Sequence, residues 1–202
     1  MSYLGEAFIR GVGRPGPPAP NGMDLHNPFG QQMWERIHAE IGSGWFLDGF
    51  LYLFGEGLDA LDPCLEAWSF LLDPGHERMI VGRNAYGALL VVEDAAEQGW
   101  VAPVGLLNPL EVHYFRDPEL NFSSLIGTWL PERRLPGFHD SSLYDAWNEV
   151  TKQRLDLGEG LVIKEPLSLG GTMEAGNFDI EELVPYYRST GPIYRSALEK
   201  KP

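Results

Sequence analysis

Histidine, cysteine, serine and paired carboxylates do most side-chain chemistry at neutral pH, and this chain places them sparsely. Its five histidines are His26, His38, His76, His113 and His139. No two lie one helical turn apart and none sits in an H-E-x-x-H frame, so no helical zinc site is encoded. His76-Glu77 and His139-Asp140 are adjacent in sequence, but neighbouring side chains on a helix do not face each other and a loop leaves their geometry open. Cys64 is the single cysteine, so an internal disulfide and a cysteine cage are both ruled out. It follows Asp62-Pro63 at the expected start of a helix, where the dipole can lower a thiol pKa. No histidine is delivered to it, and a buried structural thiol is the plainer expectation. Ser168 stands in Leu-Ser-Leu-Gly-Gly without the first glycine of a G-x-S-x-G elbow. Gly170-Gly171 lacks the Lys-Ser/Thr of a phosphate loop. Gly11-Val12-Gly13-Arg14-Pro15-Gly16 spells the dinucleotide fingerprint, yet Pro15, Pro17, Pro18 and Pro20 forbid the helix that must open there. These spacings point to no enzyme, cofactor or metal. Two alternatives stay open: a small hydrolase whose histidines and carboxylates converge only in the fold, and a non-catalytic regulatory scaffold.

The elements that would position any site can be read from periodicity. Residues 12–28 hold five prolines and read as an extended connector. Phe29, Met33, Ile37 and Ile41 recur every four residues and Gly42 closes the run, which predicts an amphipathic helix. Trp45–Phe54 predicts two short strands about the Asp48-Gly49 turn. Asp62 is the expected N-cap of a helix carrying Leu65, Trp68, Leu71 and Leu72. Strands follow at 79–81, 86–92, 100–104 and 112–115, the second and third separated by the acidic loop Glu93, Asp94 and Glu97. Short polar connections predict an antiparallel meander. Asp117-Pro118 is the expected start of a helix with Phe122, Leu125, Ile126, Trp129 and Leu130 on one side. Ser142–Asp145 resembles a capping box before another helix. A strand at Leu161–Ile163 and a last helix from about Ile180 complete an α+β chain, an antiparallel sheet meander with flanking helices.

Charge is the informative total. Twenty-nine acids against fifteen Lys and Arg leave the 202-residue chain at −14. That field repels nucleic acid and steers basic partners inward, though it also serves solubility alone. The excess is concentrated late: His139 to Val184 holds Asp140, Asp145, Glu149, Asp156, Glu159, Glu165, Glu174, Asp179, Glu181 and Glu182 against Lys152, Arg154 and Lys164. Neither a signal peptide nor a membrane span is visible, so the expected compartment is the cytoplasm.

Leu161-Val162-Ile163-Lys164-Glu165-Pro166-Leu167-Ser168-Leu169-Gly170-Gly171, then Asn177-Phe178 and Tyr186-Tyr187, resembles the C-terminal domain of immunity proteins paired with type VI secretion DNase effectors. Gly11-Val12-Gly13 with its prolines, Gly44–Phe50 and Gly82–Gly87 resemble the GAD-like domain that often precedes it. Ser168 stands where that family more often has alanine, and residues 105–140 match no motif of either domain. The resemblance implies a GAD-like region over 1–116 and a mainly helical immunity-type region over 117–202, packed as one unit. It implies Pro166, Leu169, Gly170, Gly171 and Asn177 as a structural motif. It further implies a cognate toxin, encoded next door, whose basic catalytic domain is occluded; the toxin is a nuclease, an ADP-ribosylating enzyme or another class. The acids expected to touch it are Glu93, Asp94, Glu97, Glu159, Glu174, Asp179, Glu181 and Glu182, with aromatic anchors among Trp100, Tyr114, Trp129 and Tyr194. No cofactor, nucleic acid or membrane partner is implied.

Overall fold

A run such as Leu89-Leu90-Val91-Val92 has no polar face, so its strand must be covered on both sides. The computed structural model, which describes residues 3–16, 31–165 and 170–200, shows how. Strands β1 (Gly44–Phe46), β2 (Leu51–Leu53), β3 (Arg78–Asn84), β4 (Leu89–Glu93), β5 (Pro103–Asn108) and β6 (His113–Asn121) form one antiparallel meander in sequence order. Leu51, Leu53, Val81, Leu90, Val92, Val104 and Leu106 enter one core with Phe8 of α1 (Tyr3–Gly11) and Ile37 of α2 (Gln31–Glu40). Tyr52, Ile80, Leu89, Val91 and Leu107 enter a second core with Cys64 and Leu65 of α3 (Asp62–Ala67). The fold is α+β, with helical layers on both faces of the sheet.

Several local expectations shift. The Asp48-Gly49 turn stands, with Leu47, Asp48 and Gly49 all at positive φ. Asp62 is the first residue of α3 and caps nothing, because a 3-10 turn over Leu58–Leu61 runs straight into the helix. Strand β3 continues to Asn84, past the loop expected at 82–85. Asn84 Oδ1 accepts the N–H groups of Tyr86 and Ala88, both at 3.0 Å, and so places the reversal at 85–88. Asp94 and Glu97 do not stand in an open loop: α4 (Ala95–Gln98) forms there, and a 3-10 turn over Gly99–Val101 delays β5 to Pro103.

Asp117-Pro118 starts no helix. It lies inside β6, where residues 117–120 bulge opposite Val104 on the outer strand, a place that tolerates a residue without an N–H. The helix α5 (Phe122–Ser124) follows a capping box between Asn121 and Ser124 and runs into a π-helical turn over Leu125–Trp129. The expected division after residue 116 therefore falls within a strand. Phe54 and Phe122, from opposite sides of it, stack edge to face at 6.0 Å.

Helix α6 (Ser142–Thr151) begins one residue after Ser141. No capping box forms at Ser142; instead Asp140 Oδ1 accepts the Ser142 N–H at 3.1 Å and its hydroxyl at 2.6 Å. A two-stranded sheet of β7 (Glu159–Ile163) and β8 (Phe178–Glu182) precedes α7 (Leu183–Glu199), so Ile180 is strand and not helix. Trp68 donates its Nε1–H to Tyr187 O at 3.0 Å, and Tyr187 donates its hydroxyl to Gly87 O at 2.9 Å, which pins α7 across the second core. At the α3 crossing, a Cβ on Gly191 would lie 2.6 Å from Ala67 O, so only glycine allows that approach. Among the described residues no helix is long and apolar enough to cross a membrane.

Candidate functional site

Four of the late acids, Glu159, Asp179, Glu181 and Glu182, lie on the strands of the β7–β8 hairpin, while Asp140, Asp145 and Glu149 lie at or on α6. Register pairs Glu159 with Glu182, Leu161 with Ile180, Val162 with Asp179, and Ile163 with Phe178. Two bonds, from Leu161 and Arg83, seat the hairpin on the main sheet, and a third, from Leu183, closes the hairpin's own open end. Leu161 N–H donates to Ala85 O at 2.8 Å, Leu183 N–H donates to Gly158 O at 2.7 Å, and Arg83 Nη2 donates to Asp156 O at 2.6 Å. Arg83 is fully buried on β3 and lies 5.0 Å over the Trp45 ring, and burial lowers its pKa to about 9.

The pleat then sorts β8. Phe178 and Ile180 turn towards the first core with Leu161 and Ile163, and Asp179 and Glu181 turn to the other face and are exposed. Leu143 and Trp147 of α6 stop short of that apolar face. Together with Leu161, Phe178, Asp179 and Ile180 they line a groove of about 130 Å³. Further along the same side of α6, Val150 is 84% exposed. The groove was not visible in the sequence because Ile180 reads there as helix. The alternation Phe178-Asp179-Ile180-Glu181 was the signal that could have found it.

Electrostatics on the hairpin are only partly compensated. Asp179 Oδ2 lies 3.6 Å from Lys164 Nζ, but both side chains are about half exposed or more, so the pair is weak and readily exchanged. Glu182 faces Glu159 across the strands, a like-charge pair, and Glu159 Oε2 accepts the Asp156 N–H at 3.0 Å. Glu174, Glu181 and Glu182 are exposed.

The loop between the strands is organised by Asn177. Its Oδ1 accepts the Glu165 N–H at 2.9 Å, and its Nδ2 donates to Glu165 O at 2.8 Å and Thr172 O at 2.9 Å. Gly171 packs against the same carbonyl, since a Cβ there would stand 1.7 Å from Glu165 O, and Gly170 adopts φ +105°. Gly171 and Asn177 thus close on the same Glu165 carbonyl, and Gly170 takes a backbone angle that favours glycine. Pro166 and Leu169 lie outside the described residues, as does Ser168.

The other acid group does not join this surface. Glu93 closes β4 at 1% exposure and offers no carboxylate to a partner, so the expectation that it makes contact is corrected. Its Oε1 accepts from Arg78 Nε at 3.0 Å and Tyr114 Oη at 3.2 Å, and its Oε2 pairs with Arg116 Nη2. Asp94 is bound locally: Oδ2 meets His76 Nδ1 at 2.7 Å and Oδ1 accepts the Glu77 N–H at 3.0 Å. The His76 hydrogen bond holds the Asp94 carboxyl below its usual pKa. Glu97 is exposed on α4. The hairpin meets the β3–β4 turn, and these acids sit at the opposite end of β4, roughly 14 Å away along the strand. Of the aromatic candidates, Tyr194 is buried against Trp68, and Trp100, Tyr114 and Trp129 are half-buried against Phe122, Glu93 and Phe115.

Of the titratable groups weighed for catalysis, Cys64 and His139 are buried and His38 is half-buried. Burial pushes the Cys64 thiol up to about 12. Burial and the Arg133 charge lower His139 to about 4. His38 is lowered by burial, and its Nδ1 lies 3.1 Å from Ser43 Oγ. His113 is exposed on β6, and His26 lies outside the described residues. Among the described residues no group of His, Cys, Asp and Glu is placed to hold a metal ion.

No protein-family model matches the sequence, and no curated protein matches it. A crystal structure of Atu4351 from Agrobacterium tumefaciens is similar in fold, with a TM-score of 0.60 at 13% identity over 92% of this chain and 87% of that one. At that identity the likeness speaks to fold alone.

Proposed function

We propose that this chain is an immunity protein: a stoichiometric, non-catalytic inhibitor that binds a cognate secreted toxin and covers its catalytic domain. A type VI secretion nuclease effector is the toxin class we favour. The observation that carries the reading is the gathering of exposed Asp179, Glu181 and Glu182 beside Glu159 and an open apolar groove, on a chain of net charge −14. A nuclease cleft that grips phosphate is basic. An acidic surface presented to it imitates the phosphate field and speeds encounter. Apolar contact in the groove then supplies the slow dissociation that charge alone does not. The resemblance of residues 161–187 to DNase-effector immunity domains supports the same reading, and so does the Asn177–Gly171 lock on which that motif depends. The expected setting is the cytoplasm of the cell that makes both proteins.

Co-expression with the product of the adjacent open reading frame tests it. Rescue from that product's toxicity, with a one-to-one complex surviving gel filtration, is the expected result. Toxicity that persists at equal expression of both chains refutes it. Turnover of a substrate by the purified chain, abolished by one substitution, would refute it equally.

A further inference from the structure

Strand β8 ends the two-stranded sheet, and among the described residues only one of its edges is used. Leu161 N–H is spent on Ala85, so Leu161 and Ile180 form a non-hydrogen-bonded pair and the main-chain groups of Phe178, Ile180 and Glu182 point outward. Among the described residues, no backbone group meets those outward positions, and the Ile180 N–H is satisfied only by Asp179 Oδ1 at 3.0 Å. The two faces beside this edge differ. One opens on the groove under Leu143 and Trp147, and the other carries Glu181 and Asp179, the latter also bordering the groove.

We propose that the outer edge of β8 is a strand-addition site for an extended segment of a protein partner in which apolar and basic residues alternate. The pleat dictates that pattern. Residues pointing one way would enter the groove against Trp147 and Ile180, and those pointing the other way would meet Asp179 and Glu181. The basic half of the pattern follows from charge complementarity, because among the described residues the one ion pair made by the acids of β8 is that of Asp179 with Lys164, which is long and solvent-exposed. The apolar half follows from the groove's lining and from exposed Val150, about one turn beyond Trp147 on α6. The proposal rests on the inhibitor reading in taking the partner to be the toxin.

The probe is a short capped peptide alternating valine and lysine, titrated into the full chain and followed by amide and indole shifts. A peptide of the same composition with valines and lysines in separate blocks is the control. The expected result is perturbation confined to the amides of 178–182 and the Trp147 indole, with the alternating peptide binding about tenfold tighter than the block peptide. Asp179→Lys with Glu181→Lys, both at exposed positions, should remove about tenfold of that affinity. Equal binding of both peptides, no binding, or perturbations elsewhere would overturn the site. Toxin neutralisation that persists in the doubly reversed variant would also sink the site, yet leave the inhibitor reading standing. Peptide binding as expected, with no neutralisation of a neighbouring gene product, would keep the site and remove that reading.

Discussion

Replacing His139 with glutamine should make the protein's stability markedly less sensitive to acid. His139 is 9% exposed beside Phe138, its Nε2 has no hydrogen-bond partner among the described residues, and Arg133 adds a like charge. Burial first, then that charge, lowers its pKa from 6.5 to about 4. The folded protein therefore refuses a proton that the unfolded chain accepts. Stability is whole above the unfolded value and drains away as pH falls from 6.5 towards 4. Linkage over that interval gives a loss of about 2 kcal/mol by roughly pH 5, rising to about 3 kcal/mol when titration is complete. Urea unfolding of both proteins at roughly pH 8 and roughly pH 5 isolates the residue, because carboxylates titrate alike in each and cancel in the difference. The gap between wild type and H139Q should close by about 2 kcal/mol on acidification. A gap that stays constant would refute a buried, neutral His139. It would also reopen a catalytic role for this ring.

Three further outcomes follow from named contacts. Glu93→Gln strips the counter-charge from Arg78 and Arg116 at a buried site and should cost about 3 kcal/mol in chemical unfolding, while an inert surface position would cost almost nothing. Gly191→Ala drives a methyl against the Ala67 carbonyl and should lower stability by about 1–3 kcal/mol; an unchanged midpoint would show that α7 and α3 can separate freely. Asn177→Ala removes the bonds to Glu165 and Thr172, so amide exchange at Glu165 should accelerate by about tenfold with the exchange of β4 unaltered.

Much of the sheet was legible because its signals are local. The alternation and turn residues of 45–54 specify β1 and β2, and the unbroken apolar run at 89–92 specifies a strand buried on both faces. Two of the three misread places share one cause. Asp117-Pro118 is a common helix opening, but its position on the sheet's outer strand lets it remain extended in a bulge. Asp62-Pro63 is another such opening, and a 3-10 turn arriving from Leu58 made a cap unnecessary. Ile180 fits a helical spacing with Leu183 and Val184, until pairing with Leu161 draws it into a strand. At Asp117-Pro118 and at Ile180 a partner distant in sequence outweighed a local preference, whereas at Asp62 the turn immediately before it did.

The candidate site divides along the same line. The acidic surplus after His139 belongs to the sequence by itself, since a charge total does not depend on folding, whereas the need for glycine at Gly171 arises only where the fold brings the Glu165 carbonyl against it. Which acids face outward is a matter of tertiary structure. Glu93 and Asp179 are the same kind of group at strand termini or edges, yet one is enclosed by Arg78 and Arg116 and the other lies open beside a groove. Chain folding decided that difference, because burying a carboxylate requires cations from other strands to arrive within bonding distance, and no local pattern announces their arrival.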